Sequence, residues 1–198
     1  MRNIDLHVPP MELFCVWGNA FTPEECAAVK NIGELFEFEK GKIGSGAFAK
    51  ENEDIRDTDI TWIQPKDEFK WVFEKMAALL SKINFDKFQL DLKRFDGFQY
   101  SKYKEKGHYD WHTDTIHAPP DGLYRKLSLT LMLTNPEEYE GGEFLINTRG
   151  DQNKEVESLK TKMGDLLVFY SHLPHKVAPV TSGCRVTLVT WALGAKLK

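Results

Sequence analysis

A series of short runs rich in β-branched and aromatic residues fills the second half of the chain, and this feature constrains the fold most. Turn-forming residues separate the runs, as at Asn135-Pro136 and Gly141-Gly142. Many short strands with regular turn signals are typical of an antiparallel sandwich or barrel. The predicted strands are Phe98–Tyr103, Lys126–Thr134, Glu143–Asn147, Leu166–Tyr170, Lys176–Val180 and Arg185–Leu193.

The first half has helical patterns instead. Thr22-Pro23-Glu24-Glu25 combines the spacing of a capping box with proline at the first helical position. After Gln64-Pro65, apolar residues recur every three or four positions from Phe69 to Ile83, as on a buried helix face. Helices followed by strands predict a mostly β protein with flanking helices, namely a double-stranded β-helix (jelly roll, cupin-like). We predict one compact domain in which a helical support region (1–90) buttresses the jelly-roll core (91–198).

Composition and charge exclude several classes of protein. The 198 residues carry a formal net charge of −4, which provides no field for holding a polyphosphate, so nucleic acid is not an expected partner. No apolar run approaches the roughly 18 to 20 residues that span a bilayer, and the N-terminus lacks the apolar core of a signal peptide. The three cysteines are far apart and suggest neither a metal knuckle nor a disulfide framework, so a cytoplasmic setting is expected.

His112-Thr113-Asp114 is the sharpest local motif. Residues i and i+2 of a strand point to the same face, so this imidazole and carboxylate can converge on one metal ion. Two histidines and one carboxylate leave neighbouring coordination positions open, which suits non-haem iron. The motif is weak by itself, because a turn histidine beside a solvated aspartate has the same sequence.

A second segment adds to this motif: His175 begins one predicted strand, and Arg185, ten residues on, begins the next. If these strands form an antiparallel pair joined by a turn at 181–183, their ends lie close together. An arginine facing a barrel interior needs an anionic partner, because burying it alone is costly. A surface arginine in a hairpin is the alternative.

Together these motifs resemble the Fe(II)/2-oxoglutarate oxygenase superfamily, and more specifically its prolyl 4-hydroxylase-like branch, which includes the PKHD-type hydroxylases. The resemblance covers about residues 56–192. The matching stretches are RDTDITWIQPKDEFKWVFEKM, FQYSKYKEKGHYDWHTD, RKLSLTLMLTNPEEYEGGEF and GDLLVFYSHLPHKVAPVTSGCRVTLVTW.

The resemblance implies roles for individual residues. His112, Asp114 and His175 match the iron ligands, and Arg185 matches the residue that binds the distal carboxylate of 2-oxoglutarate; these four are the predicted catalytic set. His172 is a rival for the distal histidine. His175 is preferred because it directly precedes the strand and because Arg185 falls ten residues later.

Four further residues are candidates for contact with the cosubstrate or its pocket. Tyr103 matches a tyrosine that hydrogen-bonds 2-oxoglutarate in many relatives, with an ordinary core tyrosine as the alternative. Ser128 and Thr130 alternate with leucines and would contact the cosubstrate if their face is turned inward, or form a polar outer row if it is not. Trp191 either lines the pocket or packs in the core.

The implied cofactors are Fe(II), 2-oxoglutarate and O2, with ascorbate as a reductant, and the coproducts are succinate and CO2. The expected reaction is hydroxylation of an unactivated C–H bond in a peptide, a protein or a small molecule, and loops 40–57 and 115–124 are candidates for a lid. A zinc hydrolase and a metal- or 2-oxoglutarate-binding sensor remain alternatives. The sequence predicts neither the physiological substrate nor the oligomeric state.

Overall fold

The structure is a computed structural model, and it describes residues 12–44, 49–115, 121–148, 156–159 and 161–195. Two α-helices lie in the first half, α1 (Pro23–Gly33) and α2 (Lys70–Ile83). The strands are β1 (Phe14–Trp17), β2 (Glu39–Lys40), β3 (Arg56–Asp57), β4 (Asp59–Ile63), β5 (Leu92–Phe95), β6 (Phe98–Tyr103), β7 (His108–His112), β8 (Leu123–Met132), β9 (Tyr139–Gly141), β10 (Phe144–Asn147), β11 (Val156–Leu159), β12 (Leu166–Tyr170), β13 (His175–Val177), β14 (Val180–Gly183) and β15 (Arg185–Ala195).

Helix α1 begins where its sequence predicts, and α2 buries the predicted face but begins later than Gln64-Pro65 suggests. The side chain of Thr22 caps α1 by accepting a hydrogen bond from the backbone N–H of Glu25. The carboxylate of Glu25 in turn accepts a hydrogen bond from the Thr22 N–H. A short 3-10 turn (Asp67–Phe69) precedes α2, and a π-helical turn (Asn84–Phe88) follows it. The buried face of α2 consists of Val72, Phe73, Met76, Leu80 and Ile83. No helix in the described part of the chain has the length and hydrophobicity needed to cross a membrane.

The strands form two main sheets. Among the described residues, the major sheet has the order β1-β12-β8-β15-β6-β4-β2, with β5 also paired to β15, and the minor sheet has the order β11-β10-β13-β7-β3. A separate antiparallel pair joins β9 and β14. The fold is therefore mostly β with a jelly-roll core and flanking helices, which confirms the predicted fold class.

Alternation along β12 shows how the major sheet divides two apolar layers. Leu166 and Val168 belong to the hydrophobic cluster that includes the buried faces of α1 and α2. Leu167 and Phe169 point to the opposite face and join a second cluster with Phe144 of the minor sheet. The helices thus cover the outer face of the major sheet, and the minor sheet faces its inner side.

One expectation about strand pairing is contradicted by the structure. The strand of His175 and the strand of Arg185 were predicted to pair with each other, and this is wrong: β13 pairs with β10 and β7, whereas β15 pairs with β5, β6 and β8. The segment between them, β14, pairs with β9 instead of forming a simple turn. The division into 1–90 and 91–198 remains a prediction, and the first 90 residues contribute strands β1 to β4 as well as the helices.

Candidate metal and cosubstrate site

Strand pairing in the minor sheet brings two histidines together. His112 ends β7, His175 begins β13, and the two residues lie opposite each other in the antiparallel register. Their ring centroids are 4.1 Å apart. Thr113 and Asp114 follow β7 directly, so the chain leaves the sheet at the point where the two imidazoles meet.

Asp114 completes a three-residue cluster. Its carboxylate oxygens lie 3.8 Å from Nε2 of His112 and 3.5 Å from Nε2 of His175. Its backbone N–H donates to the carbonyl of Ser171 at 2.9 Å, and its carboxylate accepts a hydrogen bond from Ser128 Oγ at 2.7 Å. Within the described ranges, these three side chains are the group whose ligand atoms lie close enough, all within 4.8 Å of one another, to share a metal ion.

Backbone carbonyls fix the orientation of both imidazoles. Nδ1 of His112 donates to the carbonyl of Asp110 at 2.7 Å, and Nδ1 of His175 donates to the carbonyl of Leu173 at 2.9 Å. Because the protons are held at Nδ1, each Nε2 lone pair is directed to the cluster. Such second contacts are the usual way in which proteins orient metal-binding histidines.

Burial and neighbouring charge set the protonation states of the cluster. Burial lowers the pKa of His112 to about 3, and the adjacent His175 contributes to this shift, so His112 is neutral near pH 7. Burial alone would raise the pKa of Asp114, but the two histidines and the Ser128 hydrogen bond outweigh it and lower this pKa. The cluster therefore presents a neutral imidazole at His112 and a carboxylate at Asp114, the protonation states that a divalent metal requires of these two ligands.

A cavity of about 450 Å³ opens beside the cluster, between the two sheets. This volume lies within the range of about 300–1,000 Å³ that is typical of small-molecule sites. Of the residues predicted to contact the cosubstrate, Tyr103, Thr130 and Arg185 line the cavity, and so does Trp191. Ser128 is fully buried, and its hydroxyl contacts Asp114 and Ser171; a direct contact of Ser128 with the cosubstrate stays a prediction.

Arg185 is buried without a counter-ion. Its side chain is only 2% exposed, and its nearest contacts are the sulfur of Met132 at 3.5 Å and the ring of Tyr103, whose centroid lies 5.4 Å from Cζ. No carboxylate of the described residues forms a salt bridge with it. Gly142 makes room for this arginine: its φ is +64°, and an added Cβ would lie 3.1 Å from Cδ of Arg185. Burying a charge in this way is costly unless a ligand pairs with it.

Unsatisfied polar atoms concentrate on the wall of this cavity. Among the described residues, five buried side-chain nitrogen or oxygen atoms have no hydrogen-bond partner, and every one belongs to a residue that lines the cavity. The indole N–H of Trp191 lies near enough to Asp114 to favour its charged form, yet it completes no hydrogen bond. The atoms are Nε of Arg56, Nε of Arg125, Nε of Arg185, Oγ1 of Thr187 and Nε1 of Trp191.

Several cavity residues were not singled out from the sequence. Arg56, Trp62 and Arg125 line the cavity, although no motif marks them. Arg125 forms a 3.4 Å salt bridge with Asp96, and its Cζ lies 3.6 Å from the centroid of the Trp191 ring. Their only sequence signal is their place in stretches of the chain that resemble known hydroxylases.

The rival histidine and the two proposed lid segments differ in their relation to the cavity. His172 is exposed and lies outside the three-residue cluster. The proposed lid segments contribute Lys42, Gly44, Ala49, Arg56 and Thr115 to the cavity wall. The remainder of the lid prediction falls partly on residues 45–48 and 116–120, which lie outside the described residues.

Comparison with known proteins gives concordant matches. The family model of the 2OG-Fe(II) oxygenase superfamily matches residues 98–193. A PKHD-type hydroxylase of Crocosphaera subtropica is 30% identical over 175 residues, which is 87% of this chain and 75% of that protein. A PKHD-type hydroxylase of Alteromonas mediterranea is 36% identical over 96 residues, but that match spans 46% of this chain and only 41% of the relative.

A solved structure has the same fold over most of the chain. It is a prolyl hydroxylase from Trichoplax adhaerens, in complex with a peptide fragment of the hypoxia inducible factor oxygen degradation domain. The superposition has a TM-score of 0.71 at 20% identity and covers 91% of this chain and 83% of that chain.

Proposed function

We propose, because this chain belongs to the 2OG-Fe(II) oxygenase superfamily and to its PKHD-type hydroxylase branch, that it hydroxylates an unactivated C–H bond at the cavity between its sheets. It is a 2-oxoglutarate-dependent dioxygenase. We assign the iron to His112, Asp114 and His175, and the distal carboxylate of 2-oxoglutarate to Arg185. The observation that carries this assignment is a buried guanidinium without a counter-ion, on the wall of the cavity that the three candidate metal ligands also line.

The donor set fits Fe(II). Two imidazole nitrogens and one carboxylate oxygen lie within 4.8 Å of one another, and all three residues line the cavity. This arrangement leaves positions for a bidentate cosubstrate and for O2, as non-haem iron oxygenases require. The hydrogen bonds of the two Nδ1 atoms and of Asp114 hold the three donors in place before the metal arrives, so little reorganisation is needed on binding.

The cavity wall also fits 2-oxoglutarate. Arg185 and Thr187 lie on the same face of β15 and both present unsatisfied polar atoms to the cavity. The guanidinium pairs with a carboxylate through its planar set of donors, and the Thr187 hydroxyl supplies another donor beside it. Tyr103 lies opposite Arg185 in the register of β6 and β15 and also lines the cavity, and we assign its hydroxyl to the same carboxylate.

In this assignment the protein fixes geometry and excludes water. Bound iron and 2-oxoglutarate supply the oxidising power, consuming O2 and releasing succinate and CO2. Arg185 and Tyr103 would orient the cosubstrate, Asp114 and the two histidines would hold the metal, and the inner faces of both sheets shield the site from bulk solvent.

We assign the substrate to the peptidyl or amino-acid class of the prolyl 4-hydroxylases. The Trichoplax structure supports this assignment, because that fold holds a peptide. A free small molecule is the alternative. A zinc hydrolase is a poorer fit, since it would leave Arg185 buried without a ligand. The same proposal includes ascorbate as reductant and a cytoplasmic setting. All three cysteines are free thiols in the structure, which is compatible with a reducing compartment.

The test is an anaerobic titration of Fe(II)-loaded protein with 2-oxoglutarate. Chelation of iron by the keto acid gives a weak visible metal-to-ligand charge-transfer band, which we expect to saturate at one equivalent. Glutarate is the matched control, because it carries both carboxylates but lacks the keto group, and it should give no band. If Fe(II) binds and 2-oxoglutarate produces no band, the oxygenase assignment of this site is wrong.

A further inference from the structure

Arg56 is a second buried arginine on the cavity wall without a carboxylate partner. It lies on β3 at the edge of the minor sheet and is 8% exposed. Its terminal nitrogens donate to the backbone carbonyl of Lys42 at 2.9 Å and to the side-chain oxygen of Gln99 at 2.7 Å. Both acceptors are neutral, and no carboxylate among the described residues forms a salt bridge with this guanidinium.

The charged side chains around the cavity leave the positive charge of Arg56 without a negative partner. Lys42 pairs with Glu39 at 3.2 Å, and Arg125 pairs with Asp96 at 3.4 Å. Asp114 is assigned to the metal, and Arg185 to the distal carboxylate of 2-oxoglutarate. Fe(II) bound at this site would be balanced by Asp114 together with the second carboxylate of the cosubstrate, so Arg56 would keep an uncompensated positive charge. The charged residues that line the cavity are Glu39, Lys42, Arg56, Asp114, Arg125 and Arg185.

The position of Arg56 relates it to the metal cluster. Its Cζ lies 4.5 Å from the ring centroid of Tyr109, and that ring stacks on His112 at 3.5 Å with an interplanar angle of 12°. Arg56 is therefore separated from an iron ligand by one aromatic side chain. A group held by Arg56 would lie on the metal side of the cavity, within reach of a substrate whose reacting carbon faces the iron.

The guanidinium retains donors for a ligand. It has five N–H groups and uses two of them. Gly41 packs directly on Nε, where an added Cβ would lie 2.5 Å away, so a ligand must reach the remaining hydrogens of the two terminal nitrogens. Those nitrogens form a planar pair of donors that matches a carboxylate.

We propose that Arg56 binds a carboxylate of the substrate, so that this enzyme acts on an anionic amino acid or on a peptide that presents a carboxylate near the oxidised carbon. The inference rests on the proposed function, because the cavity must hold 2-oxoglutarate at Arg185 for Arg56 to remain available. The carboxylate belongs either to the C-terminus of an amino acid or to an acidic side chain of a peptide.

Binding of matched acid and amide ligands tests this proposal. Protein saturated anaerobically with Fe(II) and 2-oxoglutarate is titrated by calorimetry with N-acetyl-L-proline and N-acetyl-L-prolinamide. A second pair consists of the capped tetrapeptides Ala-Pro-Asp-Ala and Ala-Pro-Asn-Ala. The first pair isolates a terminal carboxylate and the second an acidic side chain. In at least one pair, the acid should bind roughly tenfold more tightly than the amide.

Variants then locate the preference. Arg56→Gln keeps hydrogen-bond donors but removes the charge, and it should bind acid and amide equally; Arg56→Lys should keep part of the preference. Arg94→Met, which changes an exposed arginine paired with Asp121, should behave as the wild type. Equal affinities within both wild-type pairs, including no binding at all, or a preference that survives Arg56→Gln, would overturn the proposal.

The outcome remains separable from that of the oxygenase assignment. If the wild type shows the charge-transfer band with 2-oxoglutarate but does not prefer either acid, only the role of Arg56 is wrong. If the band is absent, the proposed function fails first.

Discussion

The two faces of strand β8 differ in what they leave unsatisfied. Leu127, Leu129 and Leu131 point outward into the cluster formed with the helices, and all three are fully buried. Ser128 and Thr130 point inward, one to the hydrogen-bond network of Asp114 and the other to the cavity wall. Adjacent residues of β8 therefore have different roles, since the leucines pack in the core and the hydroxyl residues face the site.

The same contrast extends across the major sheet. The outer cluster is built from apolar side chains that contribute about 1.5–3 kcal/mol each on burial. The inner wall carries the buried polar atoms without partners, each of which costs free energy until a ligand satisfies it. Stability thus resides mainly on the helix side of the sheet, and binding capacity resides on the cavity side.

The largest effect is expected at the metal cluster. His175→Ala removes one of three donors and should abolish both tight Fe(II) binding and the charge-transfer band, while thermal unfolding of the metal-free protein changes little. His172→Ala is the matched control, because this exposed histidine lies three residues away and outside the cluster. Retention of the band in His175→Ala, or its loss in His172→Ala, would reverse the assignment of the distal ligand.

The next largest effect is a loss of stability, expected for a change on the outer face of β8. Leu129→Ala removes a fully buried side chain from the helix-side cluster and should lower the free energy of unfolding by about 2–5 kcal/mol, measured by chemical denaturation. Affinity for 2-oxoglutarate at low temperature should be unchanged.

Thr130→Val is the matched change on the inner face. It should alter the affinity for 2-oxoglutarate while changing stability by less than Leu129→Ala does. If the two variants lose similar amounts of stability, the two faces of β8 do not differ as described.

Much of this contrast could be predicted from local sequence. The capping box at Thr22 and the apolar spacing of α2 specify helices through contacts within one or two turns. Strands β6 and β12 have the predicted bounds, because β12 is a continuous apolar run and β6 carries Phe98, Tyr100 and Tyr103 among its six residues. Alternation in β8 placed its hydroxyls and leucines on opposite faces.

Pairing between distant segments could not be predicted in this way. Strands β1 and β4 were missed because they are short and obtain their stability from β12 and β6, far along the chain. The pairing of β13 with β15 was wrong, since sequence proximity favours a hairpin whereas the jelly roll sends these strands to different sheets. Arg56 was missed for the same reason: only the pairing of β3 with β7 brings it to the cavity.

A further variant tests whether the buried cation at Arg185 serves binding and not folding. Arg185→Met should weaken 2-oxoglutarate binding by roughly 10- to 150-fold, the loss expected for charge-assisted hydrogen bonds. Fe(II) affinity should change little. Unfolding of the ligand-free protein should be no easier than in the wild type, because an unpaired buried charge has been removed.

Arg94→Met provides the control for Arg185, since that arginine is exposed and paired with Asp121. A large loss of stability in Arg185→Met with unchanged 2-oxoglutarate affinity would show that the inner wall contributes to folding as the outer face does.

The smallest effect is expected at Ser128, the inward-facing residue of β8 that contacts Asp114. Ser128→Ala removes the 2.7 Å hydrogen bond to Asp114 and should weaken Fe(II) binding by about 10- to 100-fold, because contacts that orient a ligand tune metal affinity. Ser171→Ala, which loses only the 3.0 Å contact between the two serine hydroxyls, should have a lesser effect. Competition with a chelator measures both.

The same variant decides between the two roles considered for Ser128. If the hydroxyl acts through Asp114, 2-oxoglutarate affinity measured at saturating Fe(II) stays at the wild-type value. If the hydroxyl contacts the cosubstrate, as the sequence alternation allowed, that affinity falls even when the metal site is full. Weaker Fe(II) binding with unchanged 2-oxoglutarate affinity would show that Ser128 acts by holding Asp114. The inward face of β8 would then have two roles, since Ser128 positions a metal ligand and Thr130 lines the cavity.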